Sequence, residues 1–205
     1  MPVPFADTPV AEIENIIQTN IFGTLLLTRA ILPSMITRSA GSGPQSLILN
    51  MGSLTGRIPS SLLATYSMSK GGLATWTKAL AEEVRDSRVV VQMVQPAFVV
   101  GHASPLSYLS LNSQTTNMSK IRKSSLTVPT PPAFVKSVLG SIGNPVGALG
   151  RKHESTPYPA HAIMDYAVVM GVFSTENIGM KVVDSMHKDI RKRALRKRAK
   201  QAKTE

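Results

Sequence analysis

Apolar residues recur at three- and four-residue intervals from Ile13 through Ile16, Ile17 and Ile21 to Leu27, the spacing of one helix face. Thr8-Pro9 supplies an N-cap and a first helical residue, with Glu12 and Glu14 near the positive end of the dipole. The pattern predicts a long, largely buried helix to about Arg38, with Pro33 as a place to bend. Gly41 to Pro44 reads as a loop. Ser46 to Met51 (SLILNM) is a short apolar run of the kind that forms a buried parallel strand, ended by Gly52-Ser53. A second helix is predicted from about Ala64 to Arg85, with Leu73, Trp76, Leu80 and Val84 on one side, and a second strand from Arg88 to Val94, stopped by Pro96. Helix, strand, helix, strand with short connections is the grammar of an open parallel α/β sheet.

The pattern weakens after Val100. Gly101 to Asn117 is polar and without period, Pro132 opens a short helix through Leu139, and Gly140 to Gly150 is a glycine-punctuated loop. Tyr158 to Phe173 is apolar but too short to span a bilayer, so it is either core or interfacial.

Composition narrows the classes. A chain of 205 residues with 42% apolar and 17% charged positions is long enough for one domain with a packed core. No run of eighteen uninterrupted apolar residues occurs, and the first residues lack a signal-peptide profile. The absence of cysteine excludes disulfides and thiolate metal sites. His161 and His187 lack metal-ligand spacing, and His161 is expected to pack or hydrogen-bond within its apolar segment. The net charge of +11 is concentrated at one end: Lys188 to Lys203 holds nine basic residues and one acid, +8 of the total. Such a tail is either a solvated helix or a surface for anionic membrane. No Phe, Trp or Tyr follows Phe173 to stack on bases, which argues against nucleic acid.

The chemistry centres on Tyr66-Ser-Met-Ser-Lys70. Four residues apart on a helix, the phenol and the amine share a face. Ser53 lies just past a predicted strand end, where open α/β sheets place ligands. An ammonium near a phenol is expected to lower its pKa. A serine hydroxyl holding a carbonyl oxygen, and a phenol giving it a proton, make a site for ketone reduction once a nicotinamide supplies the hydride. A helix-surface tyrosine and lysine beside a turn serine have the same spacing, so the pattern alone leaves both readings open.

Ser53, Tyr66 and Lys70, with Asn20 in NIFG, resemble the Asn-Ser-Tyr-Lys tetrad of the short-chain dehydrogenases/reductases. More narrowly, PVPF, LILNMGSLTG, IPSSLLATYSMSKGGL, NMSKIRKSSL, FVKSVLGSIG and TPYPAHA resemble the microsomal very-long-chain 3-oxoacyl-CoA reductases of fungi, relatives of the type-12 17β-hydroxysteroid dehydrogenases. The resemblance implies the C-terminal part of a Rossmann-like, doubly wound parallel sheet with a helical C-terminal extension. It implies NADPH-dependent reduction of a 3-ketoacyl-CoA to the 3-hydroxyacyl-CoA in fatty acid elongation, with a 17-ketosteroid as the alternative substrate. The implied setting is the endoplasmic reticulum membrane surface, with other elongation-cycle enzymes as partners. In this reading Tyr66 donates the proton, Lys70 tunes it and holds the nicotinamide ribose, Ser53 orients the keto oxygen, Asn20 positions a relay water and Pro96 borders the nicotinamide.

Two departures shape the expectations. Family members carry a membrane anchor and a glycine-rich strand–turn–helix before the point matched by Met1, whereas Gly41-Ser-Gly43 and Gly140 to Gly150 read as loops. The chain is therefore expected to be N-terminally truncated, to bind NADPH poorly, and to be inactive or weak alone. The competing readings are a non-catalytic remnant and a membrane-surface module with a cationic helix. Residues 101–117 read as an insert, followed by Lys120, Arg122 and Lys123, which either meet coenzyme A phosphates or form a solvated face. The expected organisation is a catalytic-residue half over 1–150 and an apolar segment with a basic helical extension over 151–205.

Overall fold

The computed structural model describes residues 2–99, 124–144, 150–169 and 176–201. The expected insert at 101–117 and the cluster at Lys120, Arg122 and Lys123 lie outside them.

The first helix forms in three parts: α1 (Val10–Ile17), a π turn (Gln18–Phe22) and α2 (Gly23–Ser39), which runs on through Pro33. Thr8 does not cap it. Its hydroxyl donates to the Pro4 carbonyl at 3.0 Å, closing the 3-10 turn Phe5–Asp7, and Pro9 occupies the N-cap. Nor is the helix largely buried, since in α1 and α2 only Thr28 and Ser39 are. Its inner side packs on the sheet and the next helix, while Phe22, Leu26 and Leu27 stay at least half exposed on the outer side. The whole stretch Val10–Ser39 is long and apolar enough, by length and composition, to cross a membrane.

The strands follow the apolar runs. β1 (Ser46–Met51) pairs in parallel with β2 (Val89–Val94) in a register from Ser46↔Val89 to Met51↔Val94. Arg88 adopts a left-handed conformation (φ 57°), so β2 begins one residue later than predicted. β3 (Glu154–Ser155) adds a third parallel strand through Met93↔Glu154 and Val94↔Ser155. The sheet order is β1-β2-β3. β3, just beyond residue 150, thus belongs to the same sheet as β1 and β2. Two residues are too few to leave a period in the sequence.

Helices cover both faces, as a parallel sheet requires. On one face α3 (Ala64–Glu83) places Leu80 and Ala81 against Ile48, Val89 and Val91, with Leu32, Met35 and Trp76 packed around them. On the other, α4 (Pro131–Leu139) sets Phe134 and Val138 against Val94, with Leu49 and Tyr158 alongside. Thr130 caps α4 by accepting from the Ala133 amide. The apolar segment after Tyr158 forms α5 (Pro159–Val169), and the basic end forms α6 (Glu176–Gln201).

Candidate active site

β1 delivers Ser53 to the C-terminal edge of the sheet. Gly52 is required there because a Cβ would lie 2.8 Å from Met93 Sδ, and its amide donates to the Val94 carbonyl at 2.8 Å. Ser53 then starts the 3-10 turn Leu54–Gly56, its Oγ accepting from the Thr55 amide at 3.2 Å and from Thr55 Oγ1 at 2.9 Å. The Leu54 amide donates to the Pro96 carbonyl at 3.0 Å, which ties this turn to the segment leaving β2. Gly56 lies directly on the α3 backbone, where a Cβ would sit 2.7 Å from the Lys70 carbonyl carbon. That approach brings the serine turn against the first turns of α3, where Tyr66 and Lys70 stand.

The two α3 side chains converge. Lys70 Nζ lies 5.7 Å from the centroid of the Tyr66 ring and donates to the Met51 carbonyl at the end of β1, 2.9 Å away. Burial raises the Tyr66 pKa above its ordinary value, and a side-chain hydrogen bond with Ser53 opposes that rise. Burial also lowers the pKa of Lys70. The phenol is therefore not acidified as the spacing suggested. The ammonium is aimed at a backbone carbonyl, and removal of water from the phenolate outweighs the help from Ser53.

Asn20 sits in the π turn, a widened turn of a kind frequent at functional sites. Its Nδ2 donates to Ser69 Oγ at 3.0 Å, and Ser69 Oγ donates to the Tyr66 carbonyl at 2.8 Å. Asn20 thus reaches the site through Ser69, and Pro96 reaches it through Leu54, whereas Tyr66 lies beside both Ser53 and Lys70.

Sequence reasoning missed the groups that brace this corner. Arg57, next after the serine turn, forms ion pairs with Glu154 of β3 and Asp165 of α5, both carboxylates being almost fully buried. Lys78 meets Glu154 at 2.6 Å, Arg151 pairs with Asp165, and Thr156 Oγ1 donates to Asp165 at 2.8 Å. Arg57 stands roughly a hundred residues from both of its carboxylates, a separation that leaves no spacing signal. His161 is fully buried, and its Nδ1 accepts from the Ala97 amide at 3.4 Å. Its Nε2 lies 3.1 Å from both the Phe98 and Thr127 carbonyls. The ring packs edge-on against Tyr158, as expected of its apolar segment, but its hydrogen bonds join three separate stretches of chain. Burial holds its pKa below the ordinary imidazole value, against the pull of the two carbonyls.

A parallel sheet covered on both faces, with a serine at a strand end meeting a tyrosine and lysine one helical turn apart, defines a class. The profile of the short chain dehydrogenase family matches residues 1–105, and the chain belongs to that family. Within it, the chain is 40% identical over 205 residues to a very-long-chain 3-oxoacyl-CoA reductase of Laccaria bicolor, covering 99% of this chain and 54% of that protein. It is 42% identical over 207 residues to the enzyme of the same name in Coprinopsis cinerea, covering 100% and 55%. The corresponding Pyricularia oryzae protein is 43% identical over 203 residues, covering 99% and 55%. The chain spans about half the length of the curated relatives it matches.

A nicotinamide cofactor suits one end of this site. The Lys70 ammonium and the Tyr66 hydroxyl offer donors for a ribose, beside the segment at Pro96. The chain contains no GxGxxG run to hold a pyrophosphate.

Proposed function

We propose that this chain carries the proton-donating half of a reductase that converts a 3-ketoacyl-CoA to the 3-hydroxyacyl-CoA with NADPH, in very-long-chain fatty acid elongation at the endoplasmic reticulum membrane. The observation that carries the reading is the meeting of Ser53, Tyr66 and Lys70 at the C-terminal end of β1. Bound NADPH supplies the hydride that adds to the ketone carbon. Ser53 Oγ, fixed by Thr55, hydrogen-bonds the keto oxygen and orients it toward the phenol. Tyr66, protonated at neutral pH as phenols are, gives its proton to the oxygen as the carbonyl becomes an alkoxide. Lys70 holds the ribose and, with a water positioned by Asn20, returns a proton to Tyr66. Other elongation-cycle enzymes are the expected partners.

With no GxGxxG run among its residues to hold a pyrophosphate, the 205-residue chain is expected to bind NADPH poorly and to be weak or inactive alone. The test is NADPH consumption with a 3-ketoacyl-CoA at millimolar NADPH. Tyr66→Phe is expected to lower the rate at least about 100-fold, the lower end of what a positioned general acid contributes. NADPH consumption by the unmodified chain that Tyr66→Phe leaves unchanged would contradict the proposal.

A further inference from the structure

Helix α6 has two unlike sides. At about 100° per residue, Val183, His187, Ile190 and Ala194 share one side of the cylinder, and this side is docked. His187 Nδ1 lies 3.2 Å from the Ser61 carbonyl, Asp184 accepts from the Ser61 hydroxyl, and Arg191 meets Asp7 at 3.6 Å. His187 and Ala194 are nearly fully buried, and Gly179 passes close to Ile58. The helix is therefore held against the loop before α3 and the turn before α1.

Docking fixes what the other side presents. Lys181, Lys188, Lys192 and Arg196 fall within an arc of about 80°, opposite the docked side, and all four are exposed. Arg193 flanks the arc, and Asp189 borders it as an acid. Lys188 also pairs with Asp184 at 2.6 Å. Ser185 and Ala199 lie between the cations, and the exposed Leu195 borders the arc on the side away from Asp189, so charge leads the contact. The rest of the molecule does not share this charge, since +8 of the net +11 falls between Lys188 and Lys203.

We infer that the outward arc of α6 is an adsorption surface for anionic lipid bilayers, with the cations lying over the headgroups and the α/β body standing off them. The charge chooses a polyanionic surface. A flat arrangement of cations on a fixed helix, with no aromatic side chain in α6 for stacking on bases, chooses lipid over nucleic acid. This inference is independent of the reductase reading, because no active-site residue takes part in it.

The experiment is sedimentation of the full chain with vesicles of phosphatidylcholine alone, and with vesicles in which about a third of the lipid is phosphatidylserine. Binding is expected only to the anionic vesicles and is expected to disappear near 1 M salt, where screening shortens to about 3 Å. The variant K181Q/K188Q/K192Q/R196Q is expected to bind at least about 100-fold more weakly, since each cation near such a surface contributes about fivefold. The salt series on the unmodified chain decides the matter even if the variant folds poorly. Equal binding to neutral vesicles, binding unaffected by salt, undiminished binding by a folded variant, or tighter binding to single-stranded nucleic acid at the same salt would each overturn the inference.

Discussion

Replacing Gly56 by alanine puts a methyl carbon 2.7 Å from the Lys70 carbonyl carbon and 2.8 Å from the Gly71 nitrogen. Both are backbone atoms inside α3, so neither can swing aside as a side-chain tip would. An ordinary contact needs at least about 3.4 Å, and overpacking of this kind costs roughly 1–3 kcal/mol. Gly72, one residue further along the same helix, has nothing within 4 Å of the Cβ position. Alanine there only restricts the unfolded chain and favours the helix, a gain of roughly 0.5–1 kcal/mol. Urea unfolding followed by circular dichroism separates the two. With a slope of about 2 kcal/mol/M, the midpoint should fall by roughly 0.5–1.5 M in Gly56→Ala and rise by roughly 0.25–0.5 M in Gly72→Ala. The displaced turn in Gly56→Ala also carries Ser53 away from Tyr66, so the reduction proposed above should be lost in that variant and kept in Gly72→Ala. A Gly56→Ala chain as stable as the unmodified one, or both variants moving in the same direction, would refute the close-approach argument.

Two further outcomes follow from the braces around the site. His161 and His187 both have pKa values lowered by burial, so the unfolded chain takes up protons first. Their contribution to stability is complete above the unfolded value of about 6.5 and is lost as the pH falls through the lower folded values. Melting temperature should therefore drop between about pH 7 and pH 5, and His161→Gln should flatten that slope; a flat profile in the unmodified chain would contradict this. Asp165→Ala strips a nearly fully buried carboxylate from Arg57 and Arg151 and should cost about 3–5 kcal/mol in urea unfolding, as breaking a buried pair does. Arg85→Ala, whose pairs with Glu82 and Asp86 are exposed, should leave the midpoint in place; equal losses in the two would show that burial does not decide the cost.

The pattern of apolar positions made the parallel core legible. β1 was bounded to the residue, α3 to its first residue, and β2 missed by one because the left-handed Arg88 precedes it. Tyr66 and Lys70 could be placed together because a helix fixes the relation of residues four apart. The electrostatics between them were not legible. Whether an amine acidifies a phenol depends on where its nitrogen points, and here it points to the Met51 carbonyl. β3 was invisible at two residues, and the ion cluster around Arg57 depends on partners that only the folded chain brings together. The extent of burial of the first helix was misjudged for a related reason. An apolar stripe says that a helix has a face to cover, and the described residues cover only the inner part of it.

Ser53 and Tyr66 stand as neighbouring hydroxyls in a half-buried site, where burial raises the phenol pKa and the serine opposes the rise. Labelling the tyrosine ring carbon that bears the hydroxyl, assigning Tyr66 by loss of its resonance in Tyr66→Phe, and titrating that resonance by NMR tests it directly. The expected pKa lies above the ordinary phenol value of about 10 and moves higher still in Ser53→Ala. A resonance that titrates at or below the ordinary value, or one indifferent to Ser53→Ala, would contradict it.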